Sequence, residues 1–134
     1  MSYNWREYLD LAKGLLGKNK IDTTCEACKR TSISRSFYAA YNTIYNYFHI
    51  KTRGNMPQGY DAYKYIEDEL DNSSNEDERE ISRNLKRIKT FRIQADYYDA
   101  IFARRNVFGK LSNKAELSLM IAEDIISKIE NVIN

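Results

Sequence analysis

Proline and glycine are scarce in this chain, with one Pro and five Gly in 134 residues. A many-stranded protein needs such residues at its turns. Only two valines are present, Val107 and Val132, and an α-helical domain is favoured. Histidine occurs once and cysteine twice, too few for a zinc site built on four such ligands, and no metal or cofactor is expected. Apolar residues never run beyond a few positions, and the segment MSYNWREYLD lacks a basic stretch followed by an apolar one. Neither a membrane span nor a secretory signal is expected, and the chain reads as cytoplasmic. A strong charge of one sign is missing too: 21 Lys and Arg stand against 19 Asp and Glu, a net +2. Binding of nucleic acid by bulk field is excluded, and any such function must rest on a local site.

What is present is an apolar fraction of 43%, enough for one compact domain over residues 1–134. Tyrosine is frequent, with 11 copies. Cys25 and Cys28 form a C-E-A-C; without a second pair or a βαβ context they read as two small helical residues.

Apolar periodicity divides the chain into helices. Trp5, Tyr8, Leu9, Ala12, Leu15 and Leu16 share one face, and Asn4 with Glu7 has capping-box spacing, so a first helix is predicted from about Trp5 to Leu16. Thr23 and Glu26 repeat that spacing and open a second helix that runs to about Ile50. Its stripe of Ile33, Phe37, Ala40, Ile44 and Phe48 is a core face. Arg35, Tyr38, Asn42, Tyr45 and His49 form a second ladder at spacings of three and four, suited to a cleft, a subunit interface or a solvated face. The K-T-R-G-N-M-P-Q-G segment breaks the pattern before a shorter helix over Tyr60–Leu70. Asn75 and Glu78 cap a further helix reaching roughly Ala95, with Ile81, Leu85, Ile88 and Ala95 inward. Asn113 with Glu116 caps a last one, carrying Leu119, Ala122, Ile126, Ile129 and Ile133. The expected fold is an all-α, up-and-down bundle of four main helices plus a shorter one.

Arg92 falls on the inward stripe of the fourth segment, four residues after Ile88, whereas Lys86, Arg87 and Lys89 project elsewhere. An inward arginine keeps its proton and must be matched by carboxylates, carbonyls, a dimer partner or an anionic ligand. Asp96, four residues on, can close an Arg–carboxylate latch.

Three blocks, W-x-x-Y-L-x-L-A from Trp5, R-T-S-I-S-R-S-F-Y-A-A-Y-N from Arg30 and R-I-Q-A-D-Y from Arg92, occur in an order and separation that resembles the HEPN domains. The closest subgroup has a signature near R-S-A-I-S-R-A-Y-Y-A-A-F followed by R-x-x-A-D-Y. The resemblance implies a small, commonly homodimeric helical bundle from a bacterial or archaeal defence or toxin–antitoxin system. Such a protein binds RNA, a nucleotide or a protein partner, a nucleotidyltransferase antitoxin among them. HEPN ribonucleases cut RNA without a metal through R-x(4–6)-H, paired across the dimer. Arg92 matches the arginine, but Tyr97 stands where the histidine is expected, with Tyr98 next to it. Histidine suits proton transfer because its pKa lies near neutrality, whereas tyrosine's is near 10. The resemblance therefore implies a degenerate ribonuclease site, and the candidate binding residues are Arg35, Tyr38, Asn42 and Tyr45 of the ladder with Asp96 and Tyr98. The alternative is an active endoribonuclease that uses Arg92 with His49 or Tyr97.

Overall fold

The structure, a computed structural model, describes residues 4–15, 26–97 and 107–133. Every element among them is a helix: α1 (Arg6–Lys13), α2 (Glu26–Lys51), α3 (Tyr60–Asp71), α4 (Glu76–Tyr97) and α5 (Val107–Ile133). The all-α bundle read from the sequence is observed.

Contacts at the two ends of each helix pair set the directions. Arg30 meets Ala95 while Tyr47 meets Glu78, so α2 and α4 are antiparallel. Ser32 donates to the Ala12 carbonyl and Arg35 lies over Tyr8, so α1 also runs against α2. Gln94 pairs with Lys114 and Asn84 with Asp124, which makes α5 antiparallel to α4. The order α1, α2, α4, α5 is therefore up-down-up-down, and α2 touches every other helix. The 12-residue α3, longer than the 8-residue α1, is held against α4 through Asp71, which accepts from Ser82 and Lys86.

The core follows the predicted stripes. Ile33, Phe37, Ala40, Ile44 and Phe48 of α2 are all buried, as are Ile81, Leu85, Ile88 and Ala95 of α4. Each large apolar side chain so removed from water contributes about 1.5–3 kcal/mol. On α5, Ala122, Ile126 and Ile129 are buried and Leu119 is partly so, whereas the side chain of Ile133 lies outside the described residues.

Three local expectations are corrected. The first helix stops at Lys13 rather than Leu16, with a wider π turn over residues 14–15, and Leu16 lies outside the described residues. α5 begins at Val107, so Asn113 is a helix-interior residue instead of a cap. The cause is tertiary: Leu111 and Ala115 are buried against Ile33 and Ala95, which rewards helix upstream of the local capping signal. Cys28, read as a small helical residue, is disulfide-bonded, and Cys25 lies outside the described residues.

The Asn75–Glu78 cap is half of a capping box. Asn75 Oδ1 accepts from the Glu78 backbone N–H at 3.2 Å. The Glu78 carboxylate turns inward and accepts from the Tyr47 hydroxyl at 3.0 Å, so the start of α4 is tied to α2. No helix among the described residues is long and apolar enough to cross a membrane.

Candidate functional site

The antiparallel pairing of α2 with α4 brings together two sequence blocks about sixty residues apart. Arg30, near the start of α2, donates to the Ala95 carbonyl at 2.7 Å and also pairs with Glu26 at 3.3 Å. One turn deeper, Arg92 packs its guanidinium 5.2 Å from the centre of the Phe37 ring and 5.8 Å from that of Tyr38. Its Nη1 lies 3.4 Å from Asp96 Oδ2, with only 16% of the Arg92 side chain exposed. The predicted inward arginine and its carboxylate latch are both present. The aromatic faces beneath the guanidinium add cation–π attraction of about 0.5–2 kcal/mol.

Arg92 forms one wall of a cleft between α2, α3 and α4, of about 530 Å³, lined also by Phe37, Tyr38, Tyr41, Gly59, Tyr60, Tyr63 and Lys89. That volume is within the usual range for small-ligand sites. Phe37 stacks on Tyr41 at 5.8 Å and Tyr41 on Tyr63 at 5.6 Å, which makes a column of rings. Lys89 caps it, its Nζ 3.7 Å from the centre of the Tyr63 ring. Burial raises the phenol pKa of Tyr41, and burial followed by the charge of Glu67 raises that of Tyr63. Both hydroxyls stay protonated near neutrality and do not serve as bases. The Tyr63 hydroxyl is buried and has no hydrogen-bond partner among the described residues.

The rim is set by backbone geometry. Gly59, just before α3, has φ +67°, a left-handed conformation in which any side chain is strained although the surrounding space is open. The turn it permits delivers Tyr60, fully exposed, to the mouth of the cleft.

The remaining predicted residues do not converge on one point. Tyr38 lines the cleft, and Asn42 donates to the Tyr38 carbonyl at 2.9 Å. Arg35 turns toward α1, its guanidinium 5.1 Å from the centre of the Tyr8 ring. Tyr45 packs between Tyr41 and His49, and His49 is exposed beside Gly54. His49 is eleven residues beyond Tyr38 on the same helix, roughly 17 Å at the helical rise. Within one chain it is not brought to Arg92. Tyr97 ends α4, its side chain outside the described residues, and Tyr98 lies outside them altogether.

Sequence reasoning missed Lys89, Tyr41, Tyr60 and Tyr63. Lys89 was expected to project away, but it precedes Arg92 by three residues, a spacing that places both on one side of α4. At the other pole, Glu78 is buried with Tyr47 and 3.9 Å from Lys51. There the Tyr47 phenol is pushed up to about 12 by burial and by the adjacent carboxylate. Among the described residues no cluster of three or more His, Cys, Asp or Glu is placed to hold a metal ion.

No protein-family model, curated protein or solved structure matches the chain.

Proposed function

We propose that this chain is a HEPN-type protein of a defence or toxin–antitoxin system that works as a cytoplasmic homodimer and binds RNA without cutting it efficiently. The carrying observation is the juxtaposition of Lys89 and Arg92 with an aromatic wall in one cleft. Cations supply phosphate affinity, and rings supply surfaces on which bases stack. The near-balanced net charge is consistent with this reading, because the positive charge that matters is local.

Weak chemistry follows from the proton carriers. Cleavage without a metal needs a base for the 2′-hydroxyl and an acid for the leaving oxygen. His49 is remote from Arg92 along α2, and the buried Tyr41 and Tyr63 phenols hold their protons. Arg92 can still stabilise a phosphate through charge and hydrogen bonding.

The test is incubation of the purified protein with total RNA and with tRNA in chelator, comparing wild type with Arg92→Ala and His49→Ala. Binding without appreciable cleavage is expected, weakened by Arg92→Ala. Robust wild-type cleavage that disappears in either variant would overturn the binding reading and establish the nuclease, with His49 as base if its variant alone is inactive. Light scattering at tens of micromolar checks the dimer, and a purely monomeric species would remove that part.

A further inference from the structure

We infer that the cleft between α2, α3 and α4 holds one unpaired nucleobase, stacked on Tyr60, with the adjoining phosphate on Lys89 and Arg92. This inference rests on the RNA-binding reading and specifies which form of RNA is taken and how.

Three observations support it. First, Tyr60 is a large aromatic residue that is wholly exposed at the mouth of a cleft, held there by the left-handed turn at Gly59. An aromatic in that position carries a ring face that nothing in the described structure covers. Second, the wall behind it is a stacked aromatic column, a surface that accepts a flat heterocycle in preference to a branched or spherical group.

Third, charge complementarity points to an anion next to that ring. Arg92 is matched by Asp96, but Lys89 meets only the face of Tyr63 and has no carboxylate partner among the described residues. A phosphate beside Lys89 would supply the counter-charge.

Geometry selects the unpaired state. A paired base presents its faces to its neighbours in the stack, and neither face is free for a protein ring. A cleft bounded on three sides by helices admits a single splayed nucleotide and not a duplex.

The experiment measures binding of a short fluorescently labelled single-stranded oligoribonucleotide, and of the same strand annealed to its complement, as a function of salt. Wild type is expected to bind the single strand more tightly. Tyr60→Ala is expected to weaken that binding about 5- to 100-fold, the loss of one base–aromatic stack, and Tyr60→Trp to restore it. Lys89→Gln is expected to lower affinity and reduce the salt slope by about one phosphate contact. Tyr60 is solvent-exposed, so an unchanged melting temperature for Tyr60→Ala separates binding from folding. If wild type binds single strand and duplex equally and Tyr60→Ala binds as wild type does, the stacked base is refuted while RNA binding stands. If wild type binds neither, both fall.

Discussion

Replacing Arg92 by alanine is expected to lower stability as well as RNA binding, and the size of the loss follows from its surroundings. Three contributions disappear together. The ion pair to Asp96 is four residues apart on one helix, and both partners are less than a third exposed; such pairs are worth about 0.3–0.5 kcal/mol. The guanidinium also leaves the Phe37 and Tyr38 rings, for about 0.5–2 kcal/mol. The arginine stem, packed beside those rings, adds the burial of its methylenes at a discounted fraction of about 0.8 kcal/mol each. The total is roughly 1.5–3 kcal/mol, which for a domain of this length corresponds to a melting temperature lower by about 5–12 °C. Thermal denaturation followed by circular dichroism measures it directly. Asp96→Asn, which removes the ion pair alone, should cost only about 0.5 kcal/mol. Arg92→Lys should fall between the two, since it keeps the charge but not the planar fork. An Arg92→Ala protein with an unchanged melting temperature and abolished RNA binding would refute the latch and leave Arg92 as a ligand contact only.

Other predictions concern the two ties that hold α4 in place and the missing imidazole. Tyr47→Phe leaves the buried Glu78 carboxylate without its hydroxyl donor and should cost about 1–3 kcal/mol; a denaturant midpoint equal to that of wild type would show the bond to be idle. Asp71 accepts from Lys86 and from Ser82, which hold its carboxyl below the usual aspartate range. Its folded pKa therefore lies under the unfolded value of about 3.9, so its contribution is complete above that pH and is lost as pH falls through the folded value. Asp71→Asn should flatten melting temperature against pH in that acid window, and an identical acid limb in both proteins would dismiss the effect. Tyr97→His should produce RNA cleavage in chelator that wild type lacks; a variant that folds, binds RNA and stays inert would remove the correspondence with the HEPN histidine.

The helices were legible where a stripe was long and regular. The face from Ile33 to Phe48 needs burial at every step, so pattern and structure coincide there. The start of α5 was illegible because Asn113 and Glu116 carry a strong local signal, while the burial of Leu111 depends on Ile33 and Ala95, which are remote in sequence. The Arg92–Asp96 pair was legible as an i, i+4 spacing on one helix. Lys89 was not, because its partner Tyr63 sits on α3, and no periodicity within α4 reveals which neighbour covers a given side. Within one chain the Arg35-to-His49 ladder does not act on the cleft as a unit, because Arg35 lies over Tyr8 of α1, a neighbour that periodicity within α2 does not reveal, and the rings of Tyr45 and His49 stack on each other.

The Arg30–Ala95 hydrogen bond means that α4 does not encode its own termination. Ala95 offers one of the last four carbonyls, which a helix cannot satisfy internally. The group that satisfies it is a cation from α2, favourably placed at the negative end of the α4 dipole. A synthetic peptide spanning residues 76–97 would therefore fray from its carboxyl end, losing order first at Asp96 and Arg92. Amide exchange in that last turn should track the integrity of α2 rather than the helix propensity of α4. The most chemically charged turn of the molecule is thus borrowed architecture: cut from its neighbour, the segment keeps its residues and loses their arrangement.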